Sequence, residues 1–328
     1  MGRVSGTVGD RLLDGPHGDL RVRVYEPAAG ADRVAGLVWA HGGAFMYGDL
    51  DMPEADWVAR RLADVGVVVV SVDYQLAPDL DYRDPTGAAA PDGVRFPVAS
   101  EEVTFAFAWA RDAGLGVGSE QWSLGGASAG GNLAAGASLR LRDAGGPQPR
   151  SMVLAYPVAH YELPAPSPEL AEKIAALPPD RDFPPEAMRA MGANYLGGSD
   201  APISPYAHPG GQDLRGLPPT FVVTSDHDAL RSSGEAYCAE LAAAGVDVLL
   251  VREDSTYHGH LNEPGTAGAA RSITRIATWL TADGLVGTPH EAPHHHDVTP
   301  PPAELAGTSV SRGSADEAEP TETEAAAR

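Results

Sequence analysis

Short apolar runs recur along this chain, with helical patterns between them. Residues 20–25 alternate polar and apolar side chains, whereas 34–39 and 66–72 are continuously apolar and rich in β-branched residues. Further apolar runs cover 152–156, 220–224 and 246–251. Alternation marks a strand with one face in water, and an unbroken apolar run marks a strand covered on both faces. Three-and-four spacing of apolar positions predicts helices over 53–63, 97–112, 132–141, 232–244 and 266–280. The later strands are each followed by a helix, which predicts an α/β fold with a mostly parallel central sheet flanked by helices. The start of the chain reads as an antiparallel hairpin, so the sheet is expected to be mixed. Gln121-Trp122-Ser123-Leu124 is a poor strand by the same reading.

The pattern changes near residue 286. Residues 1–286 read as one α/β domain, large for a single unit but ordinary for this class. Residues 287–328 carry prolines, His290, His294-His295-His296 and a run of acids with almost no large apolar side chain. That is the composition of a disordered tail, and without fixed geometry its histidines read as polar tail rather than as a metal site.

Charge and cysteine usage narrow the partners. Asp and Glu number 45 against 23 Lys and Arg, a formal net charge of -22. Such a balance argues against nucleic acid and anionic membrane surfaces. Cys238 is the only cysteine, so no intrachain disulfide can form and a reducing compartment is compatible with the chain. No apolar run approaches the roughly 18–20 residues of a membrane span, and the N-terminus has no signal-peptide core. A cytoplasmic protein without stable membrane insertion is expected.

The densest chemistry lies in Leu124-Gly125-Gly126-Ala127-Ser128-Ala129-Gly130-Gly131-Asn132. Glycines two positions either side of Ser128 match a nucleophile elbow, a sharp strand-to-helix turn that exposes a serine hydroxyl. Chance matches are common in a chain with 38 glycines, so the flanks must decide. Upstream, His41-Gly42-Gly43-Ala44-Phe45 follows the apolar run 34–39. Without Cβ atoms, the N–H groups of Gly42 and Gly43 can approach a ligand and, with that of Ala129, form an oxyanion hole. His41 precedes those glycines and reads as a loop anchor rather than a base. An activated serine also needs a base and an acid, which follow it in that order of acid then histidine. Asp226 and Asp228 follow one predicted strand, and His258 and His260 follow the next. Spacing does not choose within either pair.

Four segments together resemble the hormone-sensitive-lipase-like branch of the α/β-hydrolases, the family IV bacterial esterases. They are His41-Gly42-Gly43-Ala44-Phe45, Asp73-Tyr74-Gln75-Leu76-Ala77-Pro78, the stretch around Ser128, and Asp228-Ala229-Leu230-Arg231 with the later His258-Gly259. The similarity runs from about residue 15 to 283. It implies an α/β-hydrolase fold, Ser128 as nucleophile, Asp228 as acid, His258 as base, and Gly42, Gly43 and Ala129 as oxyanion donors. Asp226 becomes a supporting residue, and His260 replaces the aromatic that commonly ends the family's His-Gly-Phe motif, filling the same slot. No cofactor and no metal are implied. Members often dimerise, and the edge of the last strand is where a homodimer would be expected.

The chain departs from the family pattern at three places. Ala44 stands where the family usually has Gly and is tolerated only at negative φ. Ala127 stands where it usually has a carboxylate. Few residues precede the first strands, so the cap must come mainly from 160–195, a small or reduced cap, with a further loop insert at 79–95. These two segments are expected to border a pocket more open than is typical. Asp79, Asp81, Asp84 and Asp92 of the second insert read as solvent-facing.

The function expected is a serine carboxylesterase acting on small, short-acyl esters through an acyl-enzyme. An amidase or arylformamidase of the same fold is an alternative, because an elbow and triad do not separate ester from amide. A non-catalytic ligand-binding homologue is another, against which the intact Ser128, Asp228 and His258 speak.

Overall fold

The computed structural model describes residues 6–82 and 89–282. The predicted tail and Asp84 lie outside the described residues. The strands are β1 (Thr7–Gly15), β2 (Gly18–Glu26), β3 (Ala35–Ala40), β4 (Val67–Asp73), β5 (Trp122–Ala127), β6 (Met152–Ala155), β7 (Thr220–His227) and β8 (Val248–Tyr257). The α-helices are α1 (Asp56–Ala63), α2 (Val98–Asp112), α3 (Ala129–Asp143), α4 (Pro168–Ala175), α5 (Pro185–Leu196), α6 (Arg231–Ala243) and α7 (Ala267–Thr281). One sheet forms in the order β1-β2-β4-β3-β5-β6-β7-β8. β1 and β2 pair antiparallel, as does β2 with β4, and every later neighbour is parallel. This is an α/β-hydrolase fold with a mixed, mostly parallel sheet and no large cap domain.

The two-residue period of a strand explains why both faces are covered. In β3, Leu37 and Trp39 face α1 and α7, packing with Val58, Leu62, Ile273 and Trp279. Val38 and Ala40 face the other way, into the core shared with Val103 and Phe107 of α2 and Leu133 and Ala137 of α3. β2 shows the alternation of an outer strand, burying Leu20, Val22 and Val24 while Asp19 and Arg21 are exposed.

Two elements differ from the sequence expectation. β5 is a central, wholly buried strand despite its weak pattern. β8 extends to Tyr257, six residues beyond the apolar run ending at 251, and its polar second half is held by ion pairs from Arg271 and Arg275 of α7 to Glu253. That extension carries the chain to His258. The segment 160–195 folds into α4 and α5, each opening on a proline in its first turn, where a missing N–H costs nothing. No described helix is long and apolar enough to cross a membrane.

Candidate active site

Ser128 sits between the end of β5 and the start of α3 with φ 54° and ψ -117°. The left-handed backbone thus falls on the serine itself, at a strain of about 1–3 kcal/mol. The flanking glycines serve close approach instead. A Cβ on Gly126 would stand 2.3 Å from the Gly130 carbonyl oxygen, and one on Gly130 would stand 2.1 Å from that of Ala40. The serine is held by its N–H donating to Ala155 O at 2.8 Å and by Asn132 N donating to Ser128 O at 3.1 Å.

The extended β8 and the end of β7 bring two more side chains to this turn. Ser128 Oγ lies 2.9 Å from Nε2 of His258, and Nδ1 of His258 lies 2.7 Å from Oδ2 of Asp228. A carboxylate accepts only, so Nδ1 carries the proton and Nε2 is free to accept from the serine hydroxyl. The other oxygen of Asp228 accepts the N–H of Leu230 at 2.9 Å, and the residue is buried. Burial alone would push the His258 pKa down. The charge of Asp228, the hydrogen bond to it and the charge of Glu54 outweigh burial and hold the pKa above its ordinary value. Tyr156 and Phe183 meet the imidazole edge-on, with ring centroids 5.1 Å and 5.0 Å away.

The His41-Gly42-Gly43-Ala44 loop corrects two expectations. The N–H of Gly42 is not turned to the cavity: it donates to Oε1 of Glu54 at 2.7 Å. A donor engaged by a buried carboxylate cannot also serve a substrate, so Gly42 leaves the oxyanion set. Gly43 and Ala44 line the cavity with Ser128 and Ala129. Ala44 has φ 51°, not the negative value expected, and Phe45 follows at 66°. Gly43 O accepts the N–H groups of Met46 and Tyr47 at 2.9 and 3.0 Å, and this tight turn imposes the left-handed pair. His41 is an anchor: it is buried, bonds Gly42 O through Nδ1 at 2.7 Å and stacks on Tyr74 at 4.4 Å.

The remaining two candidates do different work from the site itself. Asp226 touches neither Asp228 nor His258 among its hydrogen bonds and ion pairs. It is buried and pairs with Lys173 of α4 at 2.5 Å, and accepts the N–H of Ser255 at 3.3 Å, so it ties the small cap to the sheet. His260 fills an aromatic slot edge-on to Tyr156 at 5.0 Å, and also bonds Ser225 and Ser272 hydroxyls at 2.8 Å through its two ring nitrogens.

Sequence reading missed Glu54. Its second oxygen accepts the Tyr156 hydroxyl at 2.8 Å, its N–H donates to Asn262 Oδ1 at 3.1 Å, and its carbonyl accepts Trp39 Nε1 at 2.8 Å. Among Asp49, Asp51 and Asp56 nothing in the sequence singles it out. The cavity, about 690 Å³ when the open space at its mouth is counted, takes a wall from Tyr161, Phe183, Met188, Met191 and Gly192 of the 160–195 segment. The 79–95 insert was expected to border it as well. In its described part Tyr82 stacks on the lining residue Phe183 at 6.3 Å and Arg95 bonds Asn194 Oδ1 of α5 at 3.1 Å, while Asp79, Asp81 and Asp92 are exposed.

Comparison with known proteins places this geometry. The family model for the alpha/beta hydrolase fold matches residues 37–262. Carboxylesterase NlhH of Mycobacterium tuberculosis is 37% identical over 264 residues, covering 78% of this chain and 76% of that protein. Esterase LipI of the same organism is 33% identical over 271 residues, covering 81% and 78%. The solved esterase of Pyrobaculum calidifontis shares 34% identity at a TM-score of 0.70, covering 84% of this chain and 85% of that one.

Proposed function

Since the chain belongs to the alpha/beta hydrolase fold family, in its hormone-sensitive-lipase-like esterase branch, we propose that it is a family IV carboxylesterase whose nucleophile is Ser128. The observation that carries the reading is the Ser128–His258–Asp228 relay at 2.9 and 2.7 Å, set on a strained elbow. His258 Nε2 takes the hydroxyl proton as Oγ attacks the ester carbonyl. Asp228 holds the tautomer and stabilises the imidazolium. The N–H groups of Gly43, Ala44 and Ala129 receive the oxyanion, each donor lowering the barrier by about 3 kcal/mol. Ala129 N is the first N–H of α3 and has no partner within its helix, which suits it to that role. His258 then gives its proton to the departing alkoxide. Water, deprotonated by the same imidazole, releases the carboxylate and restores the serine.

Small esters with short acyl chains are the substrates of this reading. Support comes from the cavity wall, where Phe183, Met188 and Met191 close the space around Ser128 and two short helices make up the cap. Aryl butyrate and aryl palmitate, assayed on wild type and Ser128→Ala, test both halves. Butyrate is expected to have the larger kcat/KM and the variant to lose turnover. Preference for palmitate removes the chain-length claim, and unchanged turnover in Ser128→Ala removes the nucleophile.

A further inference from the structure

Beside α5, the cavity lining includes a polar side chain from the following loop that the acyl-transfer chemistry does not use. His208 lines the cavity, is 4% exposed, and has no hydrogen-bond partner for Nδ1 or Nε2 among the described residues. Its neighbour His160 is the contrast. Both nitrogens of that ring are engaged, Nδ1 with Ser233 Oγ at 2.9 Å and Nε2 with Glu240 Oε1 at 3.0 Å.

Packing alone does not ask for an imidazole at position 208. The ring meets Tyr161 edge-on at 5.3 Å, a contact that phenylalanine makes as well. The apolar part of the cavity lining, with Val158, Met188, Met191 and Leu230, offers no strong partner. A buried donor and acceptor left unpaired are a standing cost, removed when a ligand supplies the partner. The wall is also thinned beside this ring. Gly192 stands within α5, and a Cβ there would lie 2.8 Å from a Tyr161 ring carbon and 3.7 Å from His208 Nε2. A glycine there leaves the wall one methyl group thinner beside Nε2, which is itself buried and unpartnered among the described residues. Burial, with the nearby His160 adding to it, lowers the His208 pKa to about 4, so the ring is neutral and suits an uncharged partner.

We propose that His208 is a specificity residue that hydrogen-bonds an uncharged polar substituent, a hydroxyl or carbonyl, on the ester held at the α5 wall. The substrate class is then a hydroxy- or oxo-substituted small ester rather than a plain alkanoate. The inference rests on the esterase reading and adds the second recognition point to it.

The test compares kcat/KM for aryl and alkyl esters bearing a hydroxyl with their methyl isosteres, the hydroxyl on the acyl side in half the panel and on the alcohol side in the rest. Wild type is expected to favour at least one hydroxyl ester over its isostere by roughly 10-fold, the worth of one buried hydrogen bond. His208→Phe should collapse that ratio to about 1, and His208→Gln should restore part of it, whatever the absolute rates. Nitrogen-15 NMR gives a readout without substitution: the His208 ring resonance should move when Ser128 carries a hydroxyl-bearing phosphonyl group and not when it carries the methyl isostere. No preference anywhere in the wild-type panel, or a preference that survives His208→Phe, overturns the proposal. Undiminished hydrolysis of the parent ester by Ser128→Ala would instead overturn the esterase reading.

Discussion

Oε1 of Glu54 accepts the backbone N–H of Gly42 at 2.7 Å. One carboxylate thereby fixes the first glycine of the loop, and through Tyr156 it reaches the edge of His258. Glu54→Gln keeps the shape and both contacts, with the amide donating to the tyrosine oxygen, but removes the charge. The expected outcome is a lower acid limb in the pH profile, because that charge helps hold the His258 pKa up. Glu54→Ala leaves two buried donors unpaired and should cost on the order of 3 kcal/mol in a urea titration. An unmoved pH limb in Glu54→Gln would separate Glu54 from the base.

The pH dependence of the parent enzyme follows from the same balance. The base must be neutral to accept the serine proton, and its pKa is raised from the ordinary 6.5. Below the raised pKa the imidazole is protonated, so kcat/KM should fall about tenfold per pH unit on the acid side. A limb centred below 6.5 would contradict the electrostatic account.

The legible and the hidden parts of this site differ for physical reasons. The strands with long apolar runs, such as β4, announced themselves because burial on both faces selects Val at five of its seven positions. β5 did not, because its Gly125 and Gly126 give up strand propensity for closeness. A Cβ on Gly125 would meet Val153 O at 2.5 Å. Ser123, polar in sequence, is buried against Ser151 Oγ at 2.9 Å. Ser128 was visible as a motif, whereas Asp228 and His258 were ambiguous by spacing and were separated from Asp226 and His260 by the family pattern. The displacement of Gly42 was invisible, since it depends on a carboxylate arriving from twelve residues away.

Ala44 gives a stability prediction with an unusual sign. Alanine-to-glycine changes ordinarily destabilise by about 0.4–1 kcal/mol through the unfolded chain. At φ 51° the native side chain already carries about 1 kcal/mol or more of strain. Ala44→Gly is therefore expected to leave the denaturation midpoint unchanged or slightly higher. A loss above about 1 kcal/mol would mean that the methyl group packs more than it strains.

His260 links the fold to acid. Burial lowers its pKa to about 4, with the charge of Glu253 opposing. A histidine whose folded pKa lies below the unfolded one contributes stability that is complete above about 6.5 and is lost as pH falls toward 4. The size is about 3 kcal/mol. His260→Phe keeps the ring against Tyr156 and gives up the bonds to Ser225 and Ser272. It should be less stable at pH 7, yet lose less stability between pH 6.5 and 4 than wild type. Parallel stability curves for the two proteins would remove His260 from the acid response.

The central claim is that one activated serine does the chemistry. Its most direct measurement is stoichiometric inactivation with an aryl phosphonate, followed by mass analysis of the peptide that contains Ser128. One phosphonyl group per chain on Ser128, and none on Ser128→Ala, is the predicted result. Inactivation with the label on another residue, or a Ser128→Ala protein that still turns over ester at the wild-type rate, would contradict it.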